Sequence, residues 1–142
     1  AFDEEVQALI RRTEEICKDY TGTWVNIAIN YGGQDEILRA AKKLAKDCVD
    51  GVQDPEKITH SVFENYLDTA GQPPVDLVIR PSGEHRLSNF LIWQCAYAEF
   101  VYMDVLWPDF TEKSLDAALE EYSKRNRRFG GLTGKEKGAS SR

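Results

Sequence analysis

The sequence predicts an α/β protein, a parallel sheet flanked by helices. Two observations carry this. Short runs rich in β-branched and aromatic residues alternate with longer segments of helical periodicity. Turn-forming and charged motifs then follow the ends of those runs, at Tyr31-Gly32-Gly33 and at residues 80–89. Alternation of this kind implies right-handed βαβ units, and ligands in such sheets gather at the carboxyl ends of the strands.

Taken in order, Phe2, Val6, Leu9, Ile10 and Ile16 recur at helical spacing and predict an amphipathic helix over residues 3–18, stopped by Thr21-Gly22. "TWVNIAIN" predicts a strand over 23–30. After the Tyr31-Gly32-Gly33 turn, Ile37, Leu38, Ala41, Leu44, Ala45 and Cys48 form the stripe of a helix over 35–50, with Gly51 as its stop. A short helix is expected over 59–69, and Gln72-Pro73-Pro74 is a connector, because proline cannot continue a helix. Strands are expected over 75–79 and 100–106, with a helix over 91–98 between them. Thr111 caps a last helix whose face carries Leu115, Ala118, Leu119 and Tyr122. Residues 1–131 are expected to belong to a single domain, and 132–142 to be a disordered polar tail.

The chain has 142 residues, 42% hydrophobic and 30% charged, which suits a soluble globular domain with a core. A net charge of −6 argues against a broad nucleic-acid footprint but permits a local anion site. No apolar run reaches the roughly 18–20 residues that span a bilayer. No signal peptide is expected, since charges begin at Asp3. The cysteines, Cys17, Cys48 and Cys95, read as small buried side chains in a reducing cytoplasm.

The densest chemistry is "IRPSGEHRLSN", residues 79–89. Arg80 and Arg86 are planar, permanently charged donors that match phosphate oxygens. Ser82 and Ser88 add hydroxyls, Gly83 permits close backbone approach, and a helix starting after Ser88 would add free N–H groups. Two readings stand: a diphosphate site, or a loop whose arginines pair with Glu84, Glu99 or Asp104. Glu99, between Tyr97 and Phe100, either pairs with an arginine or holds a divalent cation, with His85 as a second ligand. His60, in an expected surface helix, is given no role. "RRFGG", residues 127–131, reads by itself as a cationic helix end stopped by glycine.

"DLVIRPSGEHRLSNFLIWQCAYAEF", followed by "DVLWPDF" and "RRFGG", resembles the C-terminal half of a cis-prenyltransferase of the undecaprenyl diphosphate synthase family. "NIAINYGGQDEI" resembles an upstream segment of the same family. The resemblance runs from the first helix to Gly131. It implies transfer of isopentenyl diphosphate onto an allylic diphosphate such as farnesyl diphosphate, with a new Z double bond at each addition. It implies that Arg80, Arg86 and Ser88 bind the isopentenyl diphosphate head. Glu99, and with it His85, would hold Mg2+, Glu99 being the catalytic carboxylate. Arg128 and Gly130 would reach the partner subunit's diphosphate across a homodimer, overturning the helix-end reading. The family setting implies a cytoplasmic enzyme making a cell-wall lipid carrier, drawn to the membrane periphery by its lipid product. A non-catalytic accessory subunit, or a diphosphate-binding pseudoenzyme, is the alternative. Accessory partners of this family usually lose the Arg-x-Ser-Gly-Glu region, which is present here.

One departure matters. The family's Asp-Gly-Asn-x-Arg-Trp element, with its metal-binding aspartate, does not occur, and Asp50-Gly51 continues instead as Val52-Gln53. The fold is therefore expected to lack the N-terminal strand and the allylic diphosphate loop. The chain is expected to need the missing N-terminal segment, or a rearranged dimer, for solubility and for turnover. Incubating the purified 142 residues with both diphosphates should give no product, and sustained prenyl transfer would refute this expectation.

Overall fold

The computed structural model describes residues 2–125, and the chain divides into two units, residues 1–30 and residues 31 onward. In the first unit α1 spans Glu4–Cys17. Asp3 caps it by accepting the Val6 N–H at 2.9 Å, with Glu4 and Glu5 favourably placed against the positive helix start. No residue of α1 is buried, and Leu9 on the predicted apolar stripe is 62% exposed. The strand expected over 23–30 does not form. A strand exists only through a hydrogen-bonding partner, and this segment has no ladder among the described residues. Its Trp24 is 79% exposed.

The second unit begins with α2, Gly33–Val49, which ends at Asp50 and Gly51, the latter at φ 74° as the sequence led us to expect. Its buried face differs from the predicted stripe. Gly33, Glu36, Ala40 and Leu44 point inward, while Leu38 is exposed. A carboxylate can lie on a buried face only where donors meet it, and three groups do so here. The Tyr31 hydroxyl donates to Glu36 Oε2, the Asp68 N–H to Oε1 at 2.8 Å, and Gln94 Nε2 to both oxygens at 3.1 Å.

α3, His60–Glu64, follows a 3-10 turn at Pro55–Lys57 and is shorter than the helix expected over 59–69. It stops because the next amides shift to i−3 bonding: Asn65, Tyr66 and Leu67 N–H donate to the Val62, Phe63 and Glu64 carbonyls. Asp68 N–H goes to Glu36, and the Asp68 carboxylate takes both terminal nitrogens of Arg39, at 2.9 and 2.7 Å.

The sheet consists of two parallel strands, β1 (Leu77–Arg80) and β2 (Glu99–Tyr102), with Leu77 opposite Glu99 and Arg80 opposite Tyr102. Both are shorter than predicted, because only four residues of each share the ladder. The helix expected over 91–98 is instead a run of turns. Ser88, Asn89 and Leu91 adopt left-handed φ values of 51°, 63° and 44°, which cannot continue a right-handed helix. A second 3-10 turn at Trp107–Asp109 leads to α4, Glu112–Ser123. Thr111 stands at its N-cap, as expected, in a capping box with Ser114, whose Oγ accepts the Thr111 N–H at 3.3 Å. α4 packs on β2, and Ala118 and Val101 are buried. Of the cysteines only Cys95 is buried; Cys17 is exposed, because α1 buries nothing. The expected tail over 132–142 lies outside the described residues.

Gly33 is where α2 meets the turns that follow β1. A Cβ there would sit 2.9 Å from Ile92 Cγ1, 3.0 Å from the Asn89 carbonyl oxygen and 3.1 Å from the Ile92 nitrogen. Backbone atoms cannot yield as a side-chain tip can. Gly33→Ala should therefore destabilise the protein by about 1–3 kcal/mol, measured as a lowered urea midpoint.

Candidate diphosphate site

Side chains alternate along a strand. The register therefore sets Val78, Arg80, Phe100 and Tyr102 on one face of the sheet, and Leu77, Ile79, Glu99 and Val101 on the other. The sequence-predicted site residues separate along this division.

On the first face, at the carboxyl end of β1, Arg80 is the anchored member, its side chain 24% exposed. Nη1 donates to the Arg86 carbonyl at 2.5 Å and to Ser88 Oγ at 3.1 Å, and Nη2 donates to Glu84 Oε2 at 2.5 Å. Arg86 is 63% exposed and donates through Nη2 to Glu84 Oε1. One carboxylate thus sits between the guanidinium groups, and the Arg80 hydrogen bond, aided by Arg86, holds Glu84 below the usual carboxylate range. Of the partners the sequence left open, Glu84 takes both arginines. Glu99 and Asp104 take neither.

Backbone geometry supports the cluster. Ser82 N–H donates to the Val105 carbonyl and Gly83 N–H to the Met103 carbonyl, each at 2.8 Å, tying the loop after β1 to the loop after β2. Gly83 needs its missing side chain: φ is 69°, and a Cβ would lie 2.9 Å from Asp104 Oδ1. A cavity of about 130 Å³ lies beneath, lined by Val78, Arg80, Arg86, Leu87 and Phe100 among others. A larger cleft of about 490 Å³ lies elsewhere, between Ile58, Thr59, His60, Phe63 and Trp93. No arginine lines it.

His85 joins the first face by stacking on Tyr102, ring centroids 4.4 Å apart. Glu99 lies on the opposite face. Arg125 donates to its Oε2 at 3.2 Å and to the Phe100 carbonyl at 2.7 Å, and also binds Glu121. Glu99 and His85 are therefore not brought together. Among the described residues no group of three or more His, Cys, Asp or Glu side chains is placed to hold a metal ion. The residues present do not by themselves fit a magnesium centre. Arg128 and Gly130 lie outside the described residues. No helix among the described residues is long and apolar enough to cross a membrane.

The cis-prenyltransferase resemblance is decided by comparison. The family model described as "Putative undecaprenyl diphosphate synthase" matches residues 1–130. The chain belongs to this family of cis-prenyltransferases. An isoprenyl transferase of Clostridium tetani is 48% identical over 132 residues, covering 93% of this chain and 50% of the relative. A ditrans,polycis-undecaprenyl-diphosphate synthase of Photorhabdus laumondii, specific for (2E,6E)-farnesyl diphosphate, is 46% identical over 130 residues, covering 92% of this chain and 51% of that protein. Among solved structures, lavandulyl diphosphate synthase from Lavandula x intermedia, in complex with dimethylallyl diphosphate, superposes with a TM-score of 0.88 at 38% identity. That match covers 92% of this chain and 56% of that one. The chain thus spans about half the length of the curated relatives it matches. Its fold is that of the family, a parallel sheet flanked by helices.

Sequence reasoning missed the roles of Glu36 and Tyr31. Glu36 was findable, because it stands four and eight residues before Ala40 and Leu44 on one helical face. Burial and the Glu36 carboxylate push the Tyr31 phenol up, above its ordinary range. A group whose folded value is raised contributes stability that is complete below its unfolded value, near 10, and is lost as pH rises toward the folded one. Urea unfolding should therefore show stability falling above about pH 10, and Tyr31→Phe should flatten that alkaline fall.

Proposed function

We propose that this chain supplies the isopentenyl diphosphate site of a cis-prenyl transfer reaction. One observation carries the reading: two guanidinium groups converge on a single carboxylate at the carboxyl end of a parallel strand, and the anchored one, Arg80, also donates to the Ser88 hydroxyl. A diphosphate offers the same kind of oxygen acceptors as Glu84, with more charge, so it can take the arginines in that carboxylate's place. Arg80, tethered to Arg86 O and Ser88 Oγ, would keep its position on binding, while the exposed Arg86 would move.

The chemistry that follows is orientation. The allylic carbon–oxygen bond breaks and its electron pair leaves with the diphosphate. The terminal alkene carbon of isopentenyl diphosphate bonds to the allylic cation. Loss of a proton, taken by a diphosphate oxygen, then leaves the Z double bond. Holding the isopentenyl head fixes where that alkene lies, and orientation of this kind supplies up to roughly 7–11 kcal/mol in favourable cases. The apolar side chains beneath Arg80, among them Val78 and Phe100, suit the hydrocarbon end.

Farnesyl diphosphate or another allylic diphosphate would be the acceptor, in a cytoplasmic homodimer to which Arg128 and Gly130 contribute. The polyprenyl product would bring the enzyme to the membrane surface. Magnesium use rests on the family resemblance. Glu99 and His85 lie on opposite faces of the sheet and do not by themselves form a site for it.

Titration calorimetry of the 142-residue chain with isopentenyl diphosphate tests the site. Arg80→Ala and Arg86→Ala should each weaken binding by roughly ten- to a hundredfold, the worth of a charge-assisted hydrogen bond. Arg80→Lys should not restore it, because an ammonium cannot span Arg86 O, Ser88 Oγ and Glu84 at once. Undiminished binding in both alanine variants would remove the reading.

A further inference from the structure

We propose that Asn89 is a positioning residue for the diphosphate site, fixing Ser88 from behind by tying it to the start of α2. The proposal rests on the reading of Arg80, Arg86 and Ser88 given above.

Ser88 and Asn89 both lie in the left-handed region, at φ 51° and 63°, and neither is glycine. Such a pair persists only where its surroundings hold it. On one side Arg80 Nη1 donates to Ser88 Oγ and to the Arg86 carbonyl. On the other side Asn89 makes two bonds to the start of α2, 55 and 56 residues earlier in the chain. Its carbonyl accepts the Gly33 N–H at 2.7 Å, and its Oδ1 accepts the Gln34 N–H at 2.9 Å. Asparagine suits both tasks, because it tolerates left-handed backbone and carries a short acceptor.

The glycines facing it complete the fit. Gly32 has an ordinary extended conformation, φ −149° and ψ 125°, so its backbone does not require glycine. Space does: a Cβ on Gly32 would lie 2.9 Å from Asn89 Nδ2. Asn89 thus transmits the position of α2 to the Ser88 hydroxyl, which is 3.1 Å from the anchored arginine. Without the Oδ1 bond, Ser88 is free to relax to right-handed backbone and carry its hydroxyl away from Arg80.

The test is a double-mutant cycle on isopentenyl diphosphate binding, read by titration calorimetry on the full 142-residue chain. Asn89→Gly keeps the left-handed backbone accessible and removes the Oδ1 bond. Gly32→Ala displaces the Asn89 amide from outside with no change at residue 89, and carries the test if Asn89→Gly does not fold. Each should weaken binding roughly two- to tenfold, the range for one hydrogen bond, and Ser88→Ala should do the same. Combined with Ser88→Ala, neither should weaken it further, because both act through that hydroxyl. A purely structural role would instead give additive losses. Additive losses, a silent Ser88→Ala, or unchanged binding in Asn89→Gly and Gly32→Ala would each overturn the role of Asn89 and leave the arginine site standing. Failure of the unsubstituted chain to bind would bring down the site reading, and this proposal with it.

Discussion

The Glu36 carboxylate, 1% exposed, is the constraint on which the second unit depends. Burying a carboxylate is unfavourable unless its oxygens are fully met, and removing a partner leaves the remainder unsatisfied. Here the partners come from three separated stretches: Tyr31 just before α2, Asp68 after α3, and Gln94 in the turns between the strands. Each would be an unremarkable loop by itself. Met together, they fix the start of α2 against the segment that carries Asn89, Ser88 and the arginine cluster. The same requirement fixes the turns after α3, where Asp68 gives its N–H to Glu36.

Electrostatically the Arg80–Arg86 pair is a local exception within a chain of net charge −6. Glu84 keeps that exception closed by lying between Arg80 and Arg86. On the proposed reading, an incoming diphosphate would have to displace this carboxylate. Glu99 has a similar partnership on the other face of the sheet, but with Arg125 at the end of α4. Two of the three acidic residues that the sequence left as alternative partners for the same arginines, Glu84 and Glu99, therefore pair with different arginines. Strand alternation turns Glu99 away from the face that carries Arg80.

Much of the fold was legible because it is local. α1, α2 and α4 declare themselves by periodicity and by the Asp3 and Thr111 caps, and β1 and β2 by short apolar runs. What failed was non-local. Residues 23–30 have strand composition, but a ladder depends on a neighbour that composition cannot name. Residues 91–98 have helical composition, yet Ser88, Asn89 and Leu91 break the helix without any glycine to mark the break. Within the site, Arg80, Arg86 and Ser88 were legible as a cluster because they lie within nine residues of sequence. Asn89 was not, because its partners on α2 stand 55 and 56 residues away.

The left-handed turn at Ser88 also governs how substitutions there must be understood. A branched Cβ is poorly tolerated at that dihedral. Threonine, which preserves the hydroxyl, is therefore a worse replacement than its chemistry suggests, and valine or isoleucine tests backbone geometry more than loss of an alcohol. Among residues bearing a hydroxyl, serine is the one small enough to offer an oxygen to Arg80 from this bend in the chain.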